Sequence, residues 1–91
     1  MRATLIKANG RQKSVTPING TDFSLEELQG FVGGLIEILS LDNGQIMILN
    51  DEGALDSLPV NYGATLYASK NLGRICPLVG DVLLCDDEMV K

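Results

Sequence analysis

The sequence predicts an α+β fold: a small, mostly antiparallel sheet built from two β-hairpins plus a C-terminal strand, with one short helix packed on it. Three observations predict it. Apolar runs meet at Asn9-Gly10 and again at Asn43-Gly44, a capping pattern opens at Ser24, and a last apolar run spans Leu78 to Cys85.

The elements follow in order. Residues 2 to 8 (RATLIKA) alternate loosely and stop at Asn9-Gly10, the two-residue hairpin pattern in which both positions take φ > 0. Residues 11 to 17 return as the second strand, and Pro17 restricts it to an edge or a strand end. After Asn19-Gly20, Ser24 is placed to cap a helix, Glu27 completes a capping box, and Phe23 with Leu28 forms a hydrophobic staple. The helix is predicted from Leu25 to Val32 and ends at Gly33-Gly34, with Leu25, Leu28 and Val32 as its core stripe.

Residues 35 to 41 (LIEILSL) are apolar on both faces, the pattern of a central strand. Asp42-Asn43-Gly44 turns the chain, and Gln45 to Leu49 returns as the partner strand. Beyond Gly53 the pattern weakens. A short helix from Tyr62 to Ser69 competes there with an extended crossing loop. Arg74 to Cys76 reads as a short strand stopped by Pro77, and Leu78 to Cys85 as the last strand. Gly80 within it marks a bulge or a close backbone approach. Residues 86 to 91 read as a polar, frayed tail of a single domain spanning 1–91.

Composition narrows the function classes. Hydrophobic residues are 45% of the 91, enough for a globular core and too many for a disordered chain. A core this small has a thin stability margin, which gives reason to expect a homo-oligomer. No run approaches the roughly 18 apolar residues of a membrane span, and the N-terminus has no apolar stretch of a secretory signal. Cys76 and Cys85 therefore read as reduced core thiols, and the expected compartment is cytoplasmic.

Net charge is −5 and unevenly spread. Residues 1 to 21 hold Arg2, Lys7, Arg11 and Lys13 without an acid, whereas 22 to 56 hold eight carboxylates without a base. These are expected to be solvated faces that attract each other once folded. Direct nucleic-acid binding is disfavoured, because tracking phosphates needs clustered cations in excess.

Catalytic chemistry has little to stand on. The chain has no histidine, which removes imidazole acid–base catalysis, Ser-His and Cys-His dyads and histidine metal sites. Two cysteines nine apart do not complete a four-ligand zinc site, and no glycine-rich phosphate loop is present. No enzyme, cofactor or metal is expected.

Three constellations remain as candidates. Asp51-Glu52 at a strand end, with Asp42 at the far end of the same hairpin, fits a cation site or an exposed acidic turn. Asn61, Tyr62 and Thr65, polar within an apolar segment, fit either a ligand-reading loop or a helix entry with Asn61 as N-cap. Asp81 is a poor strand former inside a strand. It fits a bulge carboxylate bonded to backbone amides or a side chain turned toward solvent or ligand.

Several short strings add a resemblance. Val32-Gly33-Gly34-Leu35-Ile36-Glu37, Asn50-Asp51-Glu52-Gly53, Leu58-Pro59-Val60-Asn61 with Ala64-Thr65, and Val79-Gly80-Asp81-Val82 occur in this order. Their order and spacing, over about residues 3 to 85, resemble a domain of unknown function, family number 3846, found in bacteriophages, mobile elements and some bacterial genomes. Asp51 stands where that pattern more usually has Glu. The resemblance implies phage or mobile-element company and no activity. It makes Glu37, Glu52, Gly53, Asn61 and Asp81 motif positions, and the candidate binding set becomes Glu37, Glu52, Asn61, Tyr62, Thr65 and Asp81.

Three function classes are consistent with these readings. The first is a non-catalytic accessory protein that binds and modulates a host protein. The second is a module that binds or sequesters a small-molecule nucleotide signal, with Arg2, Arg11, Lys13, Lys70 and Arg74 available for a basic site. The third is an enzyme working through carboxylates. An exposed apolar patch rimmed with acids favours the first, and arginines gathered at an oligomer interface favour the second. Carboxylates sharing one cleft favour the third.

Overall fold

The computed structural model describes residues 3–53 and 56–90. Strands β1 (Ala3–Ile6), β2 (Gln12–Val15), β3 (Ile36–Ser40), β4 (Gln45–Asn50) and β5 (Val82–Asp86) form one antiparallel sheet in the order β2-β1-β5-β4-β3. Helix α1 (Leu25–Val32) lies between the two hairpins in sequence, α2 (Tyr62–Leu72) precedes β5, and a 3-10 turn spans Asp87–Met89.

The fold is α+β, but the expectation of one short helix is overturned: two helices are present, one on each face of the sheet. Strand alternation shows this directly. Ile46, Ile48, Leu83 and Cys85 pack with Leu28 and Val32 of α1, whereas Met47, Val82 and Leu84 pack with Ala64 and Ala68 of α2. Of the two alternatives the sequence leaves for this stretch, the helix over Tyr62–Ser69 is the one formed, three residues longer. Its signal is weak because its buried stripe is only two alanines wide, and its outward Tyr62 and Leu66 mimic an apolar face.

Strand order brings a second correction. The run 35 to 41, read as central, supplies an edge strand, and the central position belongs to β5. Val82, Leu83 and Cys85 are wholly buried because helices cover both sides of them. The first hairpin (β1–β2) and the second (β3–β4) are not hydrogen-bonded to each other; β5 joins them.

Both hairpin loops have three residues, not two. Lys7 N–H donates to Arg11 O (2.8 Å) and Gly10 N–H to Lys7 O (3.0 Å), with Gly10 alone taking positive φ, +93°. This is a type I turn followed by a left-handed glycine, the next commonest solution after the two-residue hairpin turns. Asn9 fixes it by accepting Arg11 N–H at 3.0 Å. Asp42-Asn43-Gly44 repeats the device, with Leu41 N–H to Gln45 O at 2.9 Å and Asn43 Oδ1 accepting Gln45 N–H at 3.1 Å. Asn43 also donates to Asn71 Oδ1 (3.2 Å) and the Tyr67 hydroxyl bonds Gln45, so this loop is tied to α2.

Helix α1 has the bounds and capping box that the sequence predicts. Its buried stripe is Leu28 and Val32 with Phe31 alongside; Leu25 is exposed. Phe31 meets Phe23 edge-on at 5.6 Å. Arg74 to Cys76 form no strand, and β5 begins only at Val82, after an isolated bridge between Val60 and Val79. The tail, expected to fray from residue 86, is packed through Val90: Met89 is 2% exposed and its carbonyl accepts Phe23 N–H at 2.9 Å. Lys91 lies outside the described residues. No helix among the described residues is long and apolar enough to cross a membrane.

Candidate functional site

The motif strings converge at one junction beneath the start of α2. Asn61 is the one buried polar residue among those described. Its amide donates to Ile6 O and Gly80 O, each at 2.8 Å, and its Oδ1 accepts Ala64 N–H at 3.0 Å, while its backbone N–H reaches Leu78 O at 2.9 Å. One side chain therefore caps α2 and ties it to β1 and to the approach to β5. Thr65 adds a clasp one turn on, its hydroxyl accepting Leu78 N–H at 2.9 Å. Asp81 accepts Ala8 N–H at 3.0 Å, the backbone-bonded carboxylate of the two readings offered by the sequence.

The glycines of the same strings make room. A Cβ on Gly80, where φ is +74°, would stand 2.8 Å from Leu58 Cδ1, and one on Gly53 would stand 2.8 Å from Val79 Cγ2. Leu58 thus seats between two glycine-bearing turns, which is the close approach predicted at Gly80. Asn50 closes the other end, donating to Val32 O (3.1 Å) and accepting Glu52 N–H (2.9 Å).

The candidate residues separate accordingly. Asn61, Thr65 and Asp81 come together, and their polar atoms are engaged in holding backbone. Tyr62, although next in sequence, is 74% exposed on the outer side of α2. Glu37 is exposed on edge strand β3 and Glu52 is exposed in the turn after β4. Glu37 and Asp51 line a small hollow of about 160 Å³ with Leu49, Pro77 and Leu78. Among the described residues no group of three or more carboxylates and cysteines is placed to hold a metal ion. The basic residues are dispersed: Arg11 and Lys13 at the β2 edge, Lys70 and Arg74 at the C-terminal end of α2, with Arg2 outside the described residues.

A second concavity lies elsewhere, between β2 and the outer side of α1. It is an open groove of about 550 Å³ with Val15 and Phe31 as its apolar floor and Ile18 at its rim. Lys13 stands on the strand side and Glu26 and Glu27 on the helix side. Ile18 is 89% exposed, yet its backbone is held, because Ile18 N–H donates to Glu27 Oε2 at 3.0 Å. The Glu27 carboxyl sits below its usual range because the Ser24 amide, then the Ile18 amide, bond its ionised form. The sequence reading missed this groove: Lys13, Val15, Ile18 and Phe31 come from separate elements, and their only individual signal was an isolated apolar Ile18 in a polar loop.

A family model, Domain of unknown function (DUF3846), matches residues 1–89, and the chain belongs to that family. No curated protein matches the chain. No solved structure matches it either.

Proposed function

We propose that this member of the DUF3846 family is a non-catalytic accessory protein of a phage or mobile element that binds and modulates a host protein. The β2–α1 groove carries the reading. It has an apolar floor, an exposed isoleucine at the rim, and acids along one lip, which is the surface that suits an apolar anchor on a protein partner. Lys13 opposite Glu26 offers charges of both signs to orient that partner. The alternative, a nucleotide-sequestering module around Asn61, Tyr62 and Thr65, has less support, since Asn61 and Thr65 already spend their polar atoms on the fold.

The test places a photo-crosslinking amino acid at Thr16, in the groove, and another at Ser69 on α2, in cells where the protein acts. One host protein is expected to crosslink from Thr16 and not from Ser69. The purified pair is then titrated, and Ile18→Asp is expected to weaken binding roughly tenfold or more, the scale of a central anchor. Equal capture from both positions, or binding indifferent to Ile18→Asp, overturns the reading.

A further inference from the structure

The sheet ends on two unlike edges. On β2, Gln12, Lys13 and Ser14 are exposed and Pro17 follows, the charge and proline that discourage another strand from adding. β3 has neither. It reads Ile36-Glu37-Ile38-Leu39-Ser40, Ile38 is 49% exposed, and Leu35 just before it is exposed as well.

The open hydrogen-bonding groups of β3 can be assigned residue by residue. Leu35 O accepts Asp51 N–H at 2.8 Å and Leu41 N–H donates to Gln45 O at 2.9 Å, so the odd-numbered residues bond to β4. Ile36, Ile38 and Ser40 consequently turn their N–H and C=O groups to the free edge. Among the described residues no hydrogen bond from another element reaches them.

We propose that β3 pairs antiparallel with β3 of a second copy across a twofold axis at Ile38, extending the two sheets into one. The register that overlaps the whole strand is the one centred there. Ile38 exchanges both backbone bonds with the partner's Ile38, and Ile36 does so with the partner's Ser40. The two Ile38 side chains, each half-exposed alone, cover each other on the α1 face.

Charge selects the same register. Centred on Ile38, Glu37 lies opposite the partner's Leu39; a pairing centred on Glu37 would set two carboxylates directly across from each other, which is destabilising. Centring on Leu39 leaves one end of the strand unpaired. The occupant is a second copy because this pairing satisfies the outward N–H and C=O groups of Ile36, Ile38 and Ser40 on both strands while keeping the two Glu37 carboxylates from facing each other. The pairing is isologous and closes at two copies, leaving the guarded β2 edges outermost. It does not depend on the groove, which lies beside β2 at the far end of the sheet.

Light scattering and native mass spectrometry of the full chain test this. The expected mass is twice the 9.8 kDa of one chain. Ile38→Lys, which sets two cations against each other at the axis, is expected to raise the dimer dissociation constant roughly tenfold or more with an unchanged circular dichroism spectrum. Ile38→Pro removes an amide that points away from β4 and is expected to do the same, whereas Ser14→Lys at the opposite edge leaves the dimer intact. A wild-type monomer throughout the micromolar range overturns the proposal. So does a dimer that survives Ile38→Lys, or one lost equally in Ser14→Lys.

Discussion

Asn61 shows how far one side chain reaches. Its three side-chain bonds connect positions 55, 19 and 3 residues away, so it fastens the first strand, the approach to the last strand and the start of α2 at one point. Asn61→Ala removes the cap and leaves the carbonyls of Ile6 and Gly80 each short of a donor. The expected loss is about 3–7 kcal/mol, from about 1 for a cap and about 1–3 for each of the two carbonyls left unsatisfied. That is a large share of the stability of a small domain. Urea denaturation measures it. Asn61→Asp keeps an acceptor for Ala64 N–H but aims carboxylate oxygens at two carbonyls, so it is expected to rescue little. A fully stable Asn61→Asp variant would show that the cap, not the two donated bonds, does the holding.

Among the elements, α1 is the most self-contained, and its cap couples it to the groove. Glu27 accepts both Ser24 N–H and Ile18 N–H at 3.0 Å, and those bonds lower its pKa below 4.5. A carboxyl whose folded pKa is depressed adds stability that is complete above its unfolded pKa and is lost as pH falls through the folded one. Glu27→Gln is therefore expected to lower Tm at neutral pH, with the difference closing as the pH drops below 4.5. Melting curves of both proteins across that range check the sign. The contrast between the two helices explains what the sequence disclosed. The cap, staple and stop of α1 lie within residues 23 to 34, so local pattern sufficed for its bounds. The cap of α2 was legible at Asn61, but the bonds that make Asn61 indispensable come from Ile6 and Gly80, and the narrow Ala64–Ala68 stripe carries no strong period. The runs LIEILSL and LVGDVLLC look equally buried; only the pairing of β5 with both hairpins makes one an edge and the other the centre. The groove assembles from three separated segments, and no spacing announces it.

At the scale of the whole molecule, the sheet is a partition between two cores, and the cysteines report on it. Cys85 is buried among Ile46, Ile48 and Leu83 on the α1 face, whereas Cys76 is half-buried against the α2-face cluster. Burial, with Asp86 and Asp87 adding to it, pushes the Cys85 thiol up to about 11 from 9.0. In the native protein Cys76 is expected to alkylate first, and Cys85 only as fast as the domain opens. The raised pKa has a stability consequence of definite sign. Below pH 9.0 the thiol is protonated in both states, and as pH rises toward about 11 the unfolded chain ionises first, so the contribution of Cys85 is lost across that window. Cys85→Ala is expected to be less stable at neutral pH because of the cavity it leaves, yet to lose less as the pH rises through this range. Mass-resolved alkylation and alkaline denaturation curves measure both effects. The partition itself is exposed to the same reagents. Two thiols held on opposite faces of a sheet cannot join while the sheet is intact. Mild oxidation of the folded protein is therefore expected to leave Cys76 and Cys85 unlinked, and a bond between them in protein that retains native circular dichroism would mean that the two helices do not lie on opposite faces.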